Sequence, residues 1–273
     1  MKLSRQDFIN SPPEIKDDLL GLFNQSDPLQ IFDIGACEGE DAVRYSKLFH
    51  NSTVFLFEPR PDNLKKVEEN ISRYNCTNIR VSDLALSNEN GNATFYLSSG
   101  QPNLENKPED WDFGNKSSSL LPPSEEMKKH TEWLEFKETL EVTTKRLDEF
   151  CKSNNVDQID FIHMDVQGAE LMVLEGAGSF INKIAAIWLE VEAVELYKGQ
   201  PLKNDIELFM EKHGFIRIKS TVNNIAGDQL YANPALIDRK KIDALIAANA
   251  KAARIKKIKH YYYSLRNMLS GKK

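Results

Sequence analysis

LQIFDIGACEGE, residues 29–40, is the stretch on which the fold turns. Its first half is a short apolar run that ends in Asp33 and Ile34 and reads as a buried strand. Gly35 turns the chain, and a helix starts after Gly39. Glycines at such a turn permit positive φ and let a ligand approach the main chain with no Cβ in the way. Working outward, Glu40–Phe49 carries Val43, Leu48 and Phe49 on a helical period, and Thr53–Phe57 (TVFLF) is a second buried strand closed by Glu58-Pro59. Asp62–Tyr74 is a charged helix with Leu64, Val67 and Ile71 three and four apart, and Ile79–Val81 is a third strand. Strand-helix-strand-helix-strand with short links is the pattern of a parallel sheet covered by helices on both faces.

The alternation then pauses. Ala93–Leu97 alternates like an antiparallel strand, whereas residues 98–138 are polar, carry four prolines and show no sustained period. A stretch this long without a period is expected to be an insertion, a binding loop or a lid. Leu140–Thr144 is strand-like and Leu147–Cys151 helical. The strand–helix order resumes with Ile159–Val166 (IDFIHMDV), a helix Ala169–Glu175 after Gly168, the most apolar strand at Ile184–Val191, a helix Asn204–His213, and strands Phe215–Lys219 and Gln229–Ala232. Ahead of it all, Ser11 before Pro12-Pro13 is a fair helix start for a short helix through Leu19, Leu20, Leu22 and Phe23. The expected organisation is a helical extension over 1–28, a main domain over 29–235 holding the insertion at about 98–138, and a basic helical tail over 236–273.

With 273 residues, 41% hydrophobic and 28% charged, the chain has material for one large core, so wholesale disorder is excluded. No apolar run approaches the ~18 residues of a membrane span, and the polar start MKLSRQDFINSPPEI has no secretory apolar core. Three cysteines without a CxxC indicate neither a disulfide framework nor a zinc site, and point to a reducing cytoplasm. The net charge of −6 is uneven. Residues 239–273 hold eleven Lys/Arg against the single acid Asp243, leaving the body with 24 Lys/Arg against 40 Asp/Glu. An acidic body is a poor nucleic-acid binder, so no nucleic-acid partner is expected.

The candidate chemistry sits at strand ends, where ligands of open α/β sheets bind. Glu58 ends the second strand, and a carboxylate there can accept hydrogen bonds from the cis-diol of a ribose. With the Gly35 turn it suggests a nucleoside across the first two strands. A dinucleotide wants G-x-G-x-x-G, but Cys37 stands where the second glycine belongs, and Glu38 and Glu40 crowd the helix start with negative charge that pyrophosphate would meet unfavourably. S-adenosylmethionine, which has no phosphate and carries an ammonium and a sulfonium, suits such an acidic rim. Ser82-Asp83-Leu84-Ala85-Leu86 offers a polar residue and apolar walls for an adenine. His163 inside a buried strand and Asp165 at its end are candidates for the reacting centre, alongside Glu170 on the next helical turn and at least one of Glu190, Glu192 and Glu195. No metal-ligand spacing is specific here, and none is claimed. Plain packing remains the competing explanation: Asp165 as a helix cap and His163 as a satisfied core histidine.

Together the segments DIGACEGE (33–40), FEP (57–59), DLALS (83–87), SSL (118–120) and IHMDVQGAELMVLEGA (162–177) resemble the FkbM-type methyltransferases, a branch of the class I S-adenosylmethionine-dependent enzymes, over about residues 29–233. The chain departs from the family pattern at His163, where lysine is common, and at Gln167, where glutamate is common. The resemblance implies an α/β, Rossmann-like sheet of seven strands, six parallel and one antiparallel. It further implies methyl transfer to a hydroxyl oxygen of a sugar, glycan or other small molecule. By position it puts Asp33, Gly35, Ala36, Cys37, Gly39, Glu58, Pro59, Asp83, Leu84, Ala85 and Asp165 at the cofactor, S-adenosylmethionine, with Asp165 beside the methyl group. A hydroxyl acceptor needs a base, and Asp165, His163 and Glu190 are the candidates. Trp111, Phe113 and Trp133 of the insertion could cover the crevice or anchor the insertion to the body. Two alternatives stay open: a non-catalytic nucleoside- or glycan-binding module on the same fold, and an NAD-linked oxidoreductase.

Ile255, Ile258, Tyr262, Leu265 and Leu269 fall 3, 4, 3 and 4 apart, one apolar stripe on a tail helix whose other face carries Lys256, Lys257, Lys259 and Arg266. Such a helix can lie on an anionic membrane at the cytoplasmic face, pair with another protomer, or pack on its own domain.

Overall fold

The apolar run opened by Gln30 lies at the middle of a seven-stranded sheet in the computed structural model, which describes residues 4–103 and 111–269, with 259–269 by backbone alone. The strands are β1 (Gln30–Ile34), β2 (Thr53–Phe57), β3 (Ile79–Ser82), β4 (Ala85–Ser87), β5 (Gly91–Ser99), β6 (Glu135–Arg146), β7 (Ile159–Met164), β8 (Ile184–Glu192), β9 (Ile216–Ser220) and β10 (Ala226–Ala232). The helices are α1 (Arg5–Asn10), α2 (Lys16–Leu22), α3 (Glu40–Leu48), α4 (Pro61–Arg73), α5 (Glu125–His130), α6 (Leu147–Ser153), α7 (Glu170–Gly176), α8 (Lys203–Lys212) and α9 (Arg239–Leu269).

The sheet runs β3-β2-β1-β7-β8-β10-β9. β10 is antiparallel to both neighbours, and the other six strands share one direction. Successive side chains of a strand point to opposite faces, and the core divides accordingly. Phe32 and Ile34 of β1, with Ile162 and Met164 of β7, pack against Leu147 and Phe150 of α6, Val173 of α7 and Ile206 of α8. Ile31 and Phe161 pack on the other side, against Leu19 of α2, Ala42 and Tyr45 of α3, and Ile242 of α9. Burial on both faces explains why the central strands read as continuous apolar runs.

Most expected elements appear within a few residues of their expected places, and three features differ. Ser11 is not a helix start: it closes α1, a helix the reading passed over, and its hydroxyl donates to the Phe8 carbonyl at 2.6 Å. α1 opens with a capping box, Ser4 and Asp7, whose S-x-x-D spacing was the available signal. Inside the expected insertion, β6 begins at Glu135 and pairs antiparallel with β5, and with β4 these form a second sheet in the order β4-β6-β5. Its outer half escaped notice because Glu135, Lys137 and Glu138 face solvent and leave no apolar alternation.

Candidate active site

The crevice begins where β1 stops. Gly35 has φ +81°, and a Cβ on it would lie 1.9 Å from the Asp165 carbonyl oxygen. That close approach is what the glycine permits. The Asp165 amide donates to the Ile34 carbonyl at 3.0 Å, so the turns after β1 and β7 are stitched together. The amides of Gly35 and Ala36 both donate to the Phe57 carbonyl at 3.0 Å, which ties in the end of β2. Cys37 is also left-handed, at φ +51°, a conformation costing a residue with a Cβ about 1–2 kcal/mol. Gly39, at φ +76°, opens α3.

Two lobes meet at these turns and share Gly35, Cys37, Lys116 and Asp165 in their walls. The first encloses about 530 Å³, counted out to open solvent, between Glu58, Pro59, Leu84, Ala85 and Phe95. Glu58 is 5% exposed, and its Oε1 accepts the Arg60 amide at 2.8 Å. Burial pushes its carboxyl up to about 7, against hydrogen bonds from Arg60, Asn63 and Cys37 that favour the charged form. Asp83 is exposed and is not part of this wall, since the chain turns its next three residues inward instead.

The second lobe, about 640 Å³ by the same count, lies between Asp33, Asp41, His163 and the aromatic pair Phe8 and Trp111. Asp33 and His163 are register partners on adjacent strands, and Nδ1 of the histidine sits 2.9 Å from Asp33 Oδ1. Burial opposes a charge on His163, but the Asp33 hydrogen bond and the charges of Asp41, Asp33 and Asp165 outweigh it and hold the imidazole up at about 9. His163 is therefore an imidazolium at neutral pH. Asp33 is 1% exposed, and its second oxygen, Oδ2, has no hydrogen-bond partner.

A second set of acids gathers behind Asp165. Gln167, a non-glycine residue at φ +55°, donates its Nε2 to Asp165 Oδ1 at 2.7 Å and to Glu190 Oε2 at 2.6 Å. Burial, then the charge of Asp165, holds the Glu190 carboxyl well above the usual carboxylate range. Burial and Asp165 bring Glu192 to about 7, and burial with Glu192 raises Glu170 well up. Asp228, which faces Glu190 across the β8–β10 ladder, rises to about 6 through burial and Asp165. Glu195 turns away and is exposed, its Oε1 accepting the Gly199 amide.

The insertion supplies a roof. The turn Gly114–Lys116 places Asn115 Nδ2 on Glu38 Oε1 at 2.6 Å and on Asn63 Oδ1 at 2.8 Å, and Lys116 Nζ 3.1 Å from Glu40 Oε1. Glu38 also pairs with Lys66 at 2.7 Å and with Arg5 of α1, which reaches Glu40 at 3.7 Å. Phe8 meets Trp111 edge-on, ring centroids 5.4 Å apart. The acidic rim read from the sequence is thus corrected: Glu38 and Glu40 are buried and neutralised by three cations, and they offer no free negative field to a ligand. Of the three aromatics, Trp111 lines the second lobe, Phe113 leans on it, and Trp133 packs beside Met127 and Tyr197 as an anchor of the insertion. Arg5, Phe8, Asn63, Asn115, Lys116 and Tyr197 were not singled out beforehand.

Residues 33–217 match the model of the methyltransferase FkbM domain. The chain is 32% identical over 219 residues to the 2-O-methyltransferase NoeI of Sinorhizobium fredii, covering 80% of this chain and 84% of that one. Among solved structures it is similar to the precorrin-6y C5,15-methyltransferase of Geobacter metallireducens, at 12% identity and a TM-score of 0.45 over 81% of this chain and 88% of that one. It is also similar to Aeropyrum pernix fibrillarin with natively bound S-adenosyl-L-methionine, at 12% identity and a TM-score of 0.44 over 82% of this chain and 76% of that one.

Proposed function

The chain belongs to the FkbM methyltransferase family, and from that premise we propose that it methylates a hydroxyl oxygen of a sugar-like acceptor, with S-adenosylmethionine as donor and Asp165 as the base. The observation that carries the reading is the position of Asp165, which borders both lobes of the crevice at the end of β7.

The residues present fit the donor. Glu58 offers a carboxylate to a ribose diol, Leu84, Ala85 and Phe95 offer apolar walls to an adenine, and the unpartnered Asp33 Oδ2 suits an ammonium. When bound, S-adenosylmethionine supplies a methyl group on a positively charged sulfur. The protein must then align a hydroxyl and take its proton. Alignment supplies much of such an acceleration, and a base within hydrogen-bond reach adds about 10²–10⁴-fold. Two of the three base candidates are unsuited to that role. His163 already carries its proton, and the burial of Glu190 disfavours its charged, proton-accepting form. His163 instead holds Asp33 in place and puts one positive charge among the acids of the second lobe. Phe8 and Trp111 give that lobe an apolar wall suited to a sugar face and to excluding water.

The test is calorimetric titration with S-adenosylhomocysteine and with NAD, followed by a mass-spectrometric screen of extracts for the gain of one methyl group. Binding of the first ligand and not the second, with turnover on a hydroxylated acceptor, supports the reading. Asp165→Asn is expected to cut the rate about 10²–10⁴-fold while leaving S-adenosylhomocysteine affinity within a few-fold. Tight NAD binding would return the oxidoreductase alternative, and binding without turnover on any acceptor would return the binding module.

No helix among the described residues is long and apolar enough to cross a membrane. In α9, Ile255 and Ile258 are 44% and 60% exposed beside Lys256 and Lys257. The side chains of Tyr262, Leu265 and Leu269, the rest of the expected stripe, lie outside the described residues. The stripe and its lysines support contact of this helix with an anionic membrane surface. Equal flotation with anionic liposomes of the full chain and a chain ending at Pro234 would rule that contact out.

A further inference from the structure

We propose that Gln167 is a positioning residue of the methyl transfer: its carboxamide clasps Asp165 and Glu190 as one pair and links them, through Tyr197, to the roof of the crevice. The proposal rests on the reading of Asp165 as the base. Four hydrogen bonds tie Gln167 to the site. Its Nε2 serves Asp165 Oδ1 at 2.7 Å and Glu190 Oε2 at 2.6 Å. Its Oε1 accepts the Tyr197 hydroxyl at 2.8 Å, and its main-chain carbonyl accepts the Ser119 hydroxyl at 2.8 Å. The Tyr197 hydroxyl also lies 2.8 Å from the Ser117 carbonyl, so one proton is shared between the roof and the clasp.

The chemistry selects the residue type. Only an amide places two N–H groups on one uncharged nitrogen and a carbonyl beside it. It can satisfy two carboxyl groups at once and still receive a hydroxyl. The alternative amide orientation would turn the carbonyl oxygen onto the Asp165 and Glu190 oxygens, so these partners favour the orientation seen. The cost is visible in the main chain, since Gln167 is held at φ +55°. Gly168 next to it has φ +90°, and a Cβ there would come within 3.0 Å of the Tyr197 ring, so the turn is shaped to let Tyr197 reach the amide.

The groups facing Asp165 come from every element around it: His163 of β7, Glu170 of α7, Glu190 and Glu192 of β8, Asp228 of β10 and Tyr197. Four of these six are carboxylic acids, so the two amide N–H groups are the local donors that let Asp165 sit against Glu190 in a fixed orientation. A carboxylate at 167 would bring a third acid to the same point and require an extra proton. An alanine would leave Asp165 free to turn.

The experiment is ¹³C-carboxyl NMR titration of the full chain, with resonances assigned through Asp165→Asn and Glu190→Gln, in wild type, Gln167→Ala, Gln167→Glu and Tyr197→Phe. The probe is the protein itself, so the outcome does not depend on knowing the acceptor. The expected result is an upward displacement of the paired Asp165/Glu190 titration by at least half a pH unit in Gln167→Ala and by more in Gln167→Glu. Tyr197→Phe, which deletes one oxygen and keeps the buried ring, is expected to give a smaller displacement of the same sign and keeps the test standing should a Gln167 variant not fold. Once an acceptor is found, the acid limb of kcat should move with the NMR titration. Superimposable titrations in all folded variants overturn the proposal. Full activity of Asp165→Asn overturns instead the reading of the base on which it rests.

Discussion

His163 and Asp33 are opposite charges set side by side on adjacent strands, and single changes there have large effects. Removing His163 leaves Asp33 buried without its counter-ion, so His163→Ala is expected to destabilise the fold by about 3–5 kcal/mol, measured by urea denaturation. The pair also gives a pH signature. The folded chain holds the His163 proton up to about 9, against 6.5 for an ordinary histidine. Its stabilisation is full below about 6.5 and is lost as pH rises through 9, so thermal melting should fall between those values and fall less in Asp33→Asn. Glu58 acts with the same sign over a lower pH window. Its proton is held up to about 7 in the folded chain, so burial costs stability as pH rises from 4.5 to 7. A diol that donates to the ionised carboxylate binds better as that proton leaves. Affinity for S-adenosylhomocysteine should therefore rise with pH up to about 7 and level off. Glu58→Gln should flatten the profile and weaken binding about 10–100-fold, read by calorimetry. Gly35, Glu58 and Asp165 could be found in the sequence because each sits at a strand end, where alternation places a ligand. Asn63, Asn115, Lys116 and Tyr197 could not, because they project from a helix interior and irregular chain whose side-chain directions are set only by packing. Asp83 marks the limit from the other side: it occupies a strand end and yet points to solvent.

At the scale of elements, the parallel core was legible because both faces of its strands are buried and leave unbroken apolar runs. The roof was not. It joins α1, one and a half turns long, to the Gly114–Lys116 turn from a stretch without period, and neither has an apolar face of its own. What holds them is Glu38 and Glu40 at the entry to α3, with Arg5, Lys66 and Lys116 converging on the two carboxylates, and the Phe8–Trp111 contact beside them. Taking away one cation leaves a buried acid partly uncompensated. Lys116→Met is expected to lower stability by about 1–3 kcal/mol and to speed S-adenosylhomocysteine dissociation several-fold, followed by stopped-flow fluorescence of Trp111.

For the whole molecule, α9 divides into an anchored and an unanchored part. Ile242 is fully buried, Leu245 lies where Gly21 leaves room for it, and Asn249 Nδ2 donates to Asp18 Oδ1 at 2.6 Å. Beyond residue 250 the described side chains are exposed. A chain ending at Ala250 should melt with the full chain, within the roughly ±0.5 kcal/mol of a surface change. One ending at Asp238 loses the fully buried Ile242, worth about 1.5–3 kcal/mol, and the partly buried Leu245 and Ile246, and should melt well below it. The first turn of the molecule has a practical bearing of its own. Phe8 lines the second lobe and Arg5 of the same short helix pairs with Glu38, so a fusion that displaces α1 would also remove a wall of the crevice. Purification handles belong on the far end of α9, where the helix has already left the body.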